Sequence, residues 1–353
     1  MLKNVGVDTG FGFGLMKCAD KEIKLASYIH KIREEEAKTI SSTIRAEEVL
    51  GGKKVVVKIY GEVKENGETE APSYFAVGDF VTKIKPEATR YVTLKRVGDK
   101  KHLAQLLTLI GLAFETQECK VNLGMGLPTV LRHQTEDTKK WLKNKFKISF
   151  LYNGGELLRD IVVENVEVIG QAVAPILTLS DDLLPKNILS IDLGHNTNDF
   201  CLWQDGIMPE NYRQASQGFR RYYTVMEEKL LKEYKDKAQR FSETRLQTAI
   251  ETGKVTFRNE VSNVESLQKE IFEDYAEELR ESITSNYEDV LDIVDVILLS
   301  GGVIENDKFY LILEEALKDL NIKLTRPAMA QWNVVKGIYN RVAYKYKDDF
   351  SSK

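Results

Sequence analysis

The chain has 353 residues, 42% of them hydrophobic and 29% charged, with a formal net charge of −4. That length suits two domains of ordinary size, and the balance excludes global disorder. The acidic charge argues against a surface that coats nucleic acid, so no direct DNA binding is expected; no apolar run approaches the roughly 20 residues a membrane span needs.

The N-terminus MLKNVGVDTG enters a strand with no signal-peptide pattern. Cys18, Cys119 and Cys201 lie far apart and, with the scattered histidines, show no zinc spacing, so buried thiols in a reduced, cytoplasmic protein are expected. Patterning predicts strands at 3–9 and 12–19 joined by a glycine-rich turn, and another at 24–30. From Lys31 to about Lys101 a charge run, REEEAK, and hairpin material predict an inserted, more exposed subdomain. Helical spacing returns at 101–116, where Leu103, Leu106, Leu107, Ile110 and Phe114 share a face. A strand at 120–126, a helix at 133–145, strands at 147–152 and 158–169, and a short helix near Gln171 follow.

The second half repeats the opening. Strands are predicted at 187–193 and 198–204, with Asp205-Gly206 as a hairpin turn. Helices are expected at 217–234, 242–251 and 264–285, then a strand at 294–300 leading into Gly301-Gly302. A helix at 307–319, a strand at 321–325 and a last helix at 329–346 complete the pattern, with Pro327 placed where a helix start tolerates it. The fold class is α/β with a duplicated core. Its domains are expected at 1–184 plus 327–353, carrying an insertion at about 31–100, and at 185–326, carrying a helical subdomain at about 216–290.

Residues 5–14 read VGVDTGFGFG and residues 191–199 read IDLGHNTND. Each is an apolar strand reaching an Asp two residues before a Gly, which pairs Asp8 with Asp192 and Gly10 with Gly194. Tight turns of small residues aim consecutive backbone N–H groups at one point and so bind anions. Thr9, Gly10, Phe11 and Gly12 are the candidates in the first corner, and Gly194, His195, Asn196 and Thr197 in the second. An Asp at the end of each strand suits Mg²⁺ held through water, because that ion dehydrates reluctantly. Two such corners can clamp a polyphosphate. Ordinary hairpin turns are the plain alternative for either corner alone. No G-x-x-x-x-G-K-S/T, G-x-S-x-G or H-E-x-x-H occurs, and Gly10, Gly12 and Gly14 do not open a helix as a dinucleotide fingerprint must.

VGVDTGFGFGLMK resembles the first phosphate motif of the actin superfamily, ILSIDLGHNTNDF the second, and VDVILLSGGVIEN the adenosine motif. YFAVGDFV, LGMGLP and AQWNVVKGIYN look like the ParM-type, plasmid-segregating bacterial actins. The resemblance implies an actin-like (ribonuclease H-like) two-domain fold with a nucleotide cleft between the domains. It assigns Asp8 and Asp192 to the metal, Gly301, Gly302 and Val303 to the nucleoside, and Gln171, in VEVIGQAVAP, to orienting the attacking water. An amide is no base, yet positioning supplies much of phosphoryl-transfer catalysis; a helix-start role for Gln171 stays open. The family's phosphate-reaching Lys falls at Leu15 here. Lys17 shares that strand face and is expected to serve, either one residue pair further on or through a bulge at Gly12–Gly14; a solvent-facing lysine is the alternative. Asp199 is placed equally well to brace the loop or touch ligand. Glu243, Arg245 and Lys254 are within the region that could reach base or ribose, or form a solvated face.

The implied activity is hydrolysis of ATP, or of GTP, with Mg²⁺. The implied behaviour is a self-assembled filament that grows with ATP bound and is destabilised after hydrolysis. Plasmid DNA would be reached through a ParR-type DNA-binding adaptor, without a membrane. A nucleotide-binding scaffold with little turnover and an actin-fold small-molecule kinase are the alternatives; a chaperone of the DnaK type would need a peptide-binding domain for which the chain has no room. The polar tail KYKDDFSSK is expected to fray or to contact an adaptor.

Overall fold

The structure, a computed structural model, describes residues 2–61, 69–91, 93, 96–180, 186–234, 240–257 and 260–346. Most of the tail segment, and the expected domain junction at 184/185, lie outside the described residues. The chain divides into two compact units: one contains residues up to Leu127, Leu131–Gly170 and those from Val334, the other Pro128–Val130 and Gln171–Asn333.

The first unit is built from β1 (Leu2–Thr9), β2 (Phe13–Lys17), β3 (Glu22–Ala26), β4 (Ile29–Ile32), α1 (Glu34–Ser41), α2 (Ala46–Leu50), β5 (Val55–Ile59), β6 (Ser73–Val77), α3 (Phe80–Ile84), α4 (Lys100–Ala113), β7 (Glu118–Leu127), α5 (Thr135–Leu142), β8 (Lys145–Tyr152) and β9 (Gly155–Gly170). Its nine-stranded sheet runs β3-β2-β1-β7-β9-β8-β5-β6-β4. The stretch expected to be exposed hairpin material supplies β5 and β6 of that sheet, and Val55, Val56, Val57, Phe75, Ala76 and Val77 are wholly buried. The expected hairpin forms, β5 pairing antiparallel with β6; strands covered on both faces lose their alternation, so the burial of the VVV run was not legible. The strand expected at 24–30 breaks at Ser27 and Tyr28 into β3 and β4. Helix α4 starts where Asp99 caps the N–H groups of Lys101 and His102 at 2.8 and 2.9 Å.

The second unit holds β10 (Ile188–Leu193), β11 (Thr197–Trp203), β12 (Arg213–Gln217), α6 (Arg220–Glu233), α7 (Glu243–Thr252), β13 (Lys254–Phe257), β14 (Glu260–Asn263), α8 (Glu265–Tyr287), β15 (Val296–Ser300), α9 (Asp307–Ala316) and β16 (Lys323–Thr325). Its sheet runs β12-β11-β10-β15-β16. The turn at Asp205-Gly206 forms as expected: both residues have positive φ, 50° and 80°, the form that matches strand twist in a two-residue hairpin. β12 and the β13–β14 hairpin were not anticipated, because RQASQ is a polar edge strand without apolar alternation. Chain order closes with α10 (Ala330–Lys345).

The two sheets share a motif. In each, an antiparallel trio is followed by a parallel neighbour: β3-β2-β1-β7 in one, β12-β11-β10-β15 in the other. Register agrees too. Asp8 pairs with Leu15 and Asp192 with Asp199, seven residues on in both cases. The duplicated core expected from ten residues of sequence is thus present in topology and in register. Cys18, Cys119 and Cys201 are free and buried, and no helix among the described residues is long and apolar enough to cross a membrane.

Candidate functional site: two matched strand corners

In the first corner β1 ends one residue past Asp8 and β2 begins at Phe13. Asp8 is buried, as are Thr9 and Phe11, while Gly10 and Gly12 are half-buried. A Cβ on Gly10 would stand 2.8 Å from the Phe13 carbonyl oxygen, so only glycine lets the chain reverse here. The turn is held from behind. The Ser27 hydroxyl donates to the Gly10 carbonyl at 2.6 Å and accepts from Gln105 at 2.8 Å, while the Ser27 N–H donates to the Gly12 carbonyl at 3.1 Å.

The Thr9 hydroxyl meets Nε2 of His102 at 2.9 Å, and Nδ1 of His102 meets the Arg96 carbonyl at 3.2 Å. A carbonyl can only accept, so Nδ1 carries the proton and Nε2 accepts from Thr9. Burial, aided by the nearby Arg96 charge, holds the His102 pKa well below its ordinary value, which keeps the ring neutral for that role. Ser27, His102 and Gln105 went unremarked in the sequence. His102 and Gln105 lie away from the Leu103–Phe114 face of α4, where polar residues read as solvent-facing, yet both are wholly buried.

Lys17 pairs with Gly6, not with Asp8, and the β1–β2 register is unbroken, so no bulge brings it forward. Its ammonium is held by Glu22 at 3.0 Å and lies 5.5 Å from the Tyr339 ring. The position facing Asp8 belongs to Leu15, which is buried.

The second corner repeats the first. A Cβ on Gly194 would stand 2.5 Å from the Thr197 carbonyl oxygen. The Gly194 N–H donates to that same carbonyl at 3.0 Å and is already engaged. The corner is stitched to the start of α6, where Gly218, Phe219 and Arg220 donate to the carbonyls of Asn196, Gly194 and His195. Asp192 is buried and accepts from the Ser300 hydroxyl at 3.2 Å. Asp199 is fully buried and takes the bracing role, accepting from the Thr129 N–H at 2.5 Å and from the Thr197 hydroxyl at 2.9 Å; burial raises its pKa against those bonds. His195 sits against Tyr223, ring centroids 5.3 Å apart, with Nε2 3.2 Å from a Glu243 carboxylate oxygen.

Gly301 has φ of 101°, and a Cβ there would lie 2.3 Å from the Leu193 carbonyl oxygen, so the loop after β15 is packed directly on the second corner. Gly302 faces the Gln331 side chain, and Val303 opens a single 3₁₀ turn, Val303–Glu305. Gln171 is buried and follows β9 directly, in a turn before the 3₁₀ segment Ala174–Thr178. The structure therefore gathers Asp192, Gly194, Thr197 and Gly301 into one locality and Asp8, Thr9, Gly10 and Phe11 into another.

Comparison with known proteins places this architecture. The model for the actin-like protein N-terminal domain matches residues 6–173, and that for the archaeal actin homologue MreB-like C-terminal domain matches residues 190–305. The chain belongs to the actin superfamily. No curated protein sequence matches it. Among solved structures, the actin-like protein Alp7A superposes with a TM-score of 0.76 at 16% identity, over 98% of this chain and 97% of that one. A 15-stranded ParM filament from Clostridium botulinum gives 0.77 at 16% identity, over 97% and 99%. Bacillus thuringiensis ParM with ATP gives 0.70 at 16% identity, over 98% and 100%. The fold is the two-domain α/β fold of these bacterial actins.

Proposed function

We propose that this chain is an ATPase that assembles into filaments with Mg-ATP bound and loses them after hydrolysis. The observation that carries the reading is the duplicated Asp-x-Gly corner, matched in register and in the glycine that only a bare backbone can replace. One similar structure is a ParM filament and another is a ParM with ATP; those properties are carried to this chain as part of the proposal. GTP is the alternative nucleotide. We read the chain as cytoplasmic, with domains at 1–184 plus 327–353 and 185–326.

On this reading the N–H groups of Thr9, Gly10, Phe11 and Gly12 and those of His195, Asn196 and Thr197 bind phosphate oxygens, and Gly194, Gly301, Gly302 and Val303 let the nucleotide approach backbone. Lys17 would serve only by leaving Glu22. Asp8 and Asp192 would hold Mg²⁺, whose charge screens the phosphates. Among the described residues no group of three or more His, Cys, Asp or Glu is placed to hold a metal, which fits an ion kept by single carboxylates, water and phosphates. Gln171 would orient a water in line with the γ-phosphorus. Its attack forms the new P–O bond as the bond to the β–γ bridging oxygen breaks, releasing ADP and phosphate. The cargo is plasmid DNA, reached through a ParR-type adaptor.

Right-angle light scattering after limiting Mg-ATP, with phosphate release followed in the same sample, tests this. Scattering should rise at once and decay as phosphate appears, and Gln171→Ala should prolong the plateau. Phosphate release with flat scattering across a wide protein range would leave an ATPase and remove the filament.

A further inference from the structure

We propose that Arg96 is the cation of the first phosphate corner, standing in for the lysine that the second strand fails to supply. The inference deepens the nucleotide reading and rests on it.

Arg96 is only 2% exposed, yet no described residue accepts a hydrogen bond from its guanidinium, and its Nε is buried without a partner. The group lies over the Phe11 ring, 4.6 Å from the centroid, at the tip of the corner. It is anchored there by its own backbone, whose carbonyl binds His102, which in turn binds Thr9. Tyr91, Asp8 and Asp99 are near enough to act on its charge, and Oδ1 of Asp99 is engaged in capping α4.

A buried charge without hydrogen bonds is unfavourable, and a guanidinium offers five donors in a fork that matches phosphate oxygens. The strand β2 provides no competitor: Leu15 faces Asp8, and Lys17 is paired with Glu22. A cation left unsatisfied beside a backbone anion cradle is what a phosphate ligand would complete.

The test compares wild type, Arg96→Met and Arg96→Lys by calorimetric titration with Mg-ATP and with adenosine, and by thermal unfolding without nucleotide. Arg96→Met should lose about 10- to 100-fold in Mg-ATP affinity, the scale of a charge-assisted hydrogen bond, and keep its adenosine affinity. Without nucleotide it should melt at or above the wild-type temperature, since Met fills the space with no charge to bury. Arg96→Lys should recover part of the Mg-ATP affinity. Wild-type Mg-ATP binding by Arg96→Met would overturn the proposal, and so would a large fall in its nucleotide-free melting temperature or failure to fold, which would make Arg96 a brace. Wild type that binds no nucleotide would overturn the nucleotide reading itself, a result distinct from both.

Discussion

Gly194 and Gly301 occupy one locality but are required for different reasons. Gly194 has ordinary φ and is excluded from change only by the Thr197 carbonyl, whereas Gly301 combines φ of 101° with a Leu193 carbonyl 2.3 Å from where a Cβ would be. Gly301→Ala should therefore be the costlier change, adding backbone strain of about 1–3 kcal/mol to the clash that Gly194→Ala also meets. Urea unfolding of the two variants checks the order; equal losses would mean that the loop after β15 shifts freely. His102 makes a different prediction. Its folded pKa is depressed, so the folded state stays neutral while the unfolded chain titrates near its ordinary value of about 6.5. As pH falls below that value the unfolded state takes up a proton that the folded state refuses, and stability falls. One unit below, this group alone contributes a loss of about 1.4 kcal/mol, which His102→Gln should remove from the difference between unfolding at pH 7.5 and pH 5.5. His30, also depressed by burial, titrates with the same sign and remains in both proteins.

At the scale of elements, the docking of α10 turns on two glycines that are neighbours across β1 and β7. Gly6 pairs with Gly124, and their bare backbones make a floor on which the helix lies. A Cβ on Gly6 would meet the Tyr339 backbone nitrogen at 2.7 Å; on Gly124 it would meet the tips of Val342 and Ile338 at 2.5 and 2.6 Å. Side-chain tips can move and helix backbone cannot. Gly6→Val should thus displace α10 and cost more than about 3 kcal/mol, with Gly124→Ala nearer 1–3 kcal/mol, as chemical denaturation would measure. Beside the glycines, Asn4, Asn122 and Asn165 form a hydrogen-bonded row across three strands and tie β1 to the Tyr346 carbonyl. Much of this scale was legible beforehand. Helices with clear 3.6-residue spacing, such as α4, α6 and α8, were found, and so were both corners, because they depend on local chemistry. What escaped depended on distant partners: the burial of the β5–β6 hairpin, the polar edge β12, and the side chains of Ser27, Gln105 and Ser300, whose meaning exists only once the corners are folded against them.

For the whole molecule, the two units carry separate cores. One centres on residues such as Val7, Leu109, Val121 and Phe150, the other on Ile191, Phe219, Tyr275 and Phe309. Each core closes around its own sheet, and each corner is braced by residues of its own unit: Ser27 and His102 in one, Ser300 and Thr129 in the other. Cooperativity follows burial, so two cores of this kind are expected to melt as two events when nothing joins them energetically. A nucleotide gripped by both corners would supply that join, since a ligand bound only to the fully folded state stabilises it by about 2.7 kcal/mol at one hundred times its dissociation constant. Scanning calorimetry should then show two overlapping transitions without nucleotide. Saturating Mg-ADP, which avoids turnover during the scan, should move both upward and draw them together. If the ligand raised only one transition, the nucleotide would be held by a single corner, and the duplicated Asp-x-Gly turn would be a relic of the fold's repetition, not a two-sided clamp. Asp192→Ala separates these cases again: it should abolish the shift of both transitions if the clamp is shared, and leave the first unit's shift intact if the first corner alone holds the nucleotide.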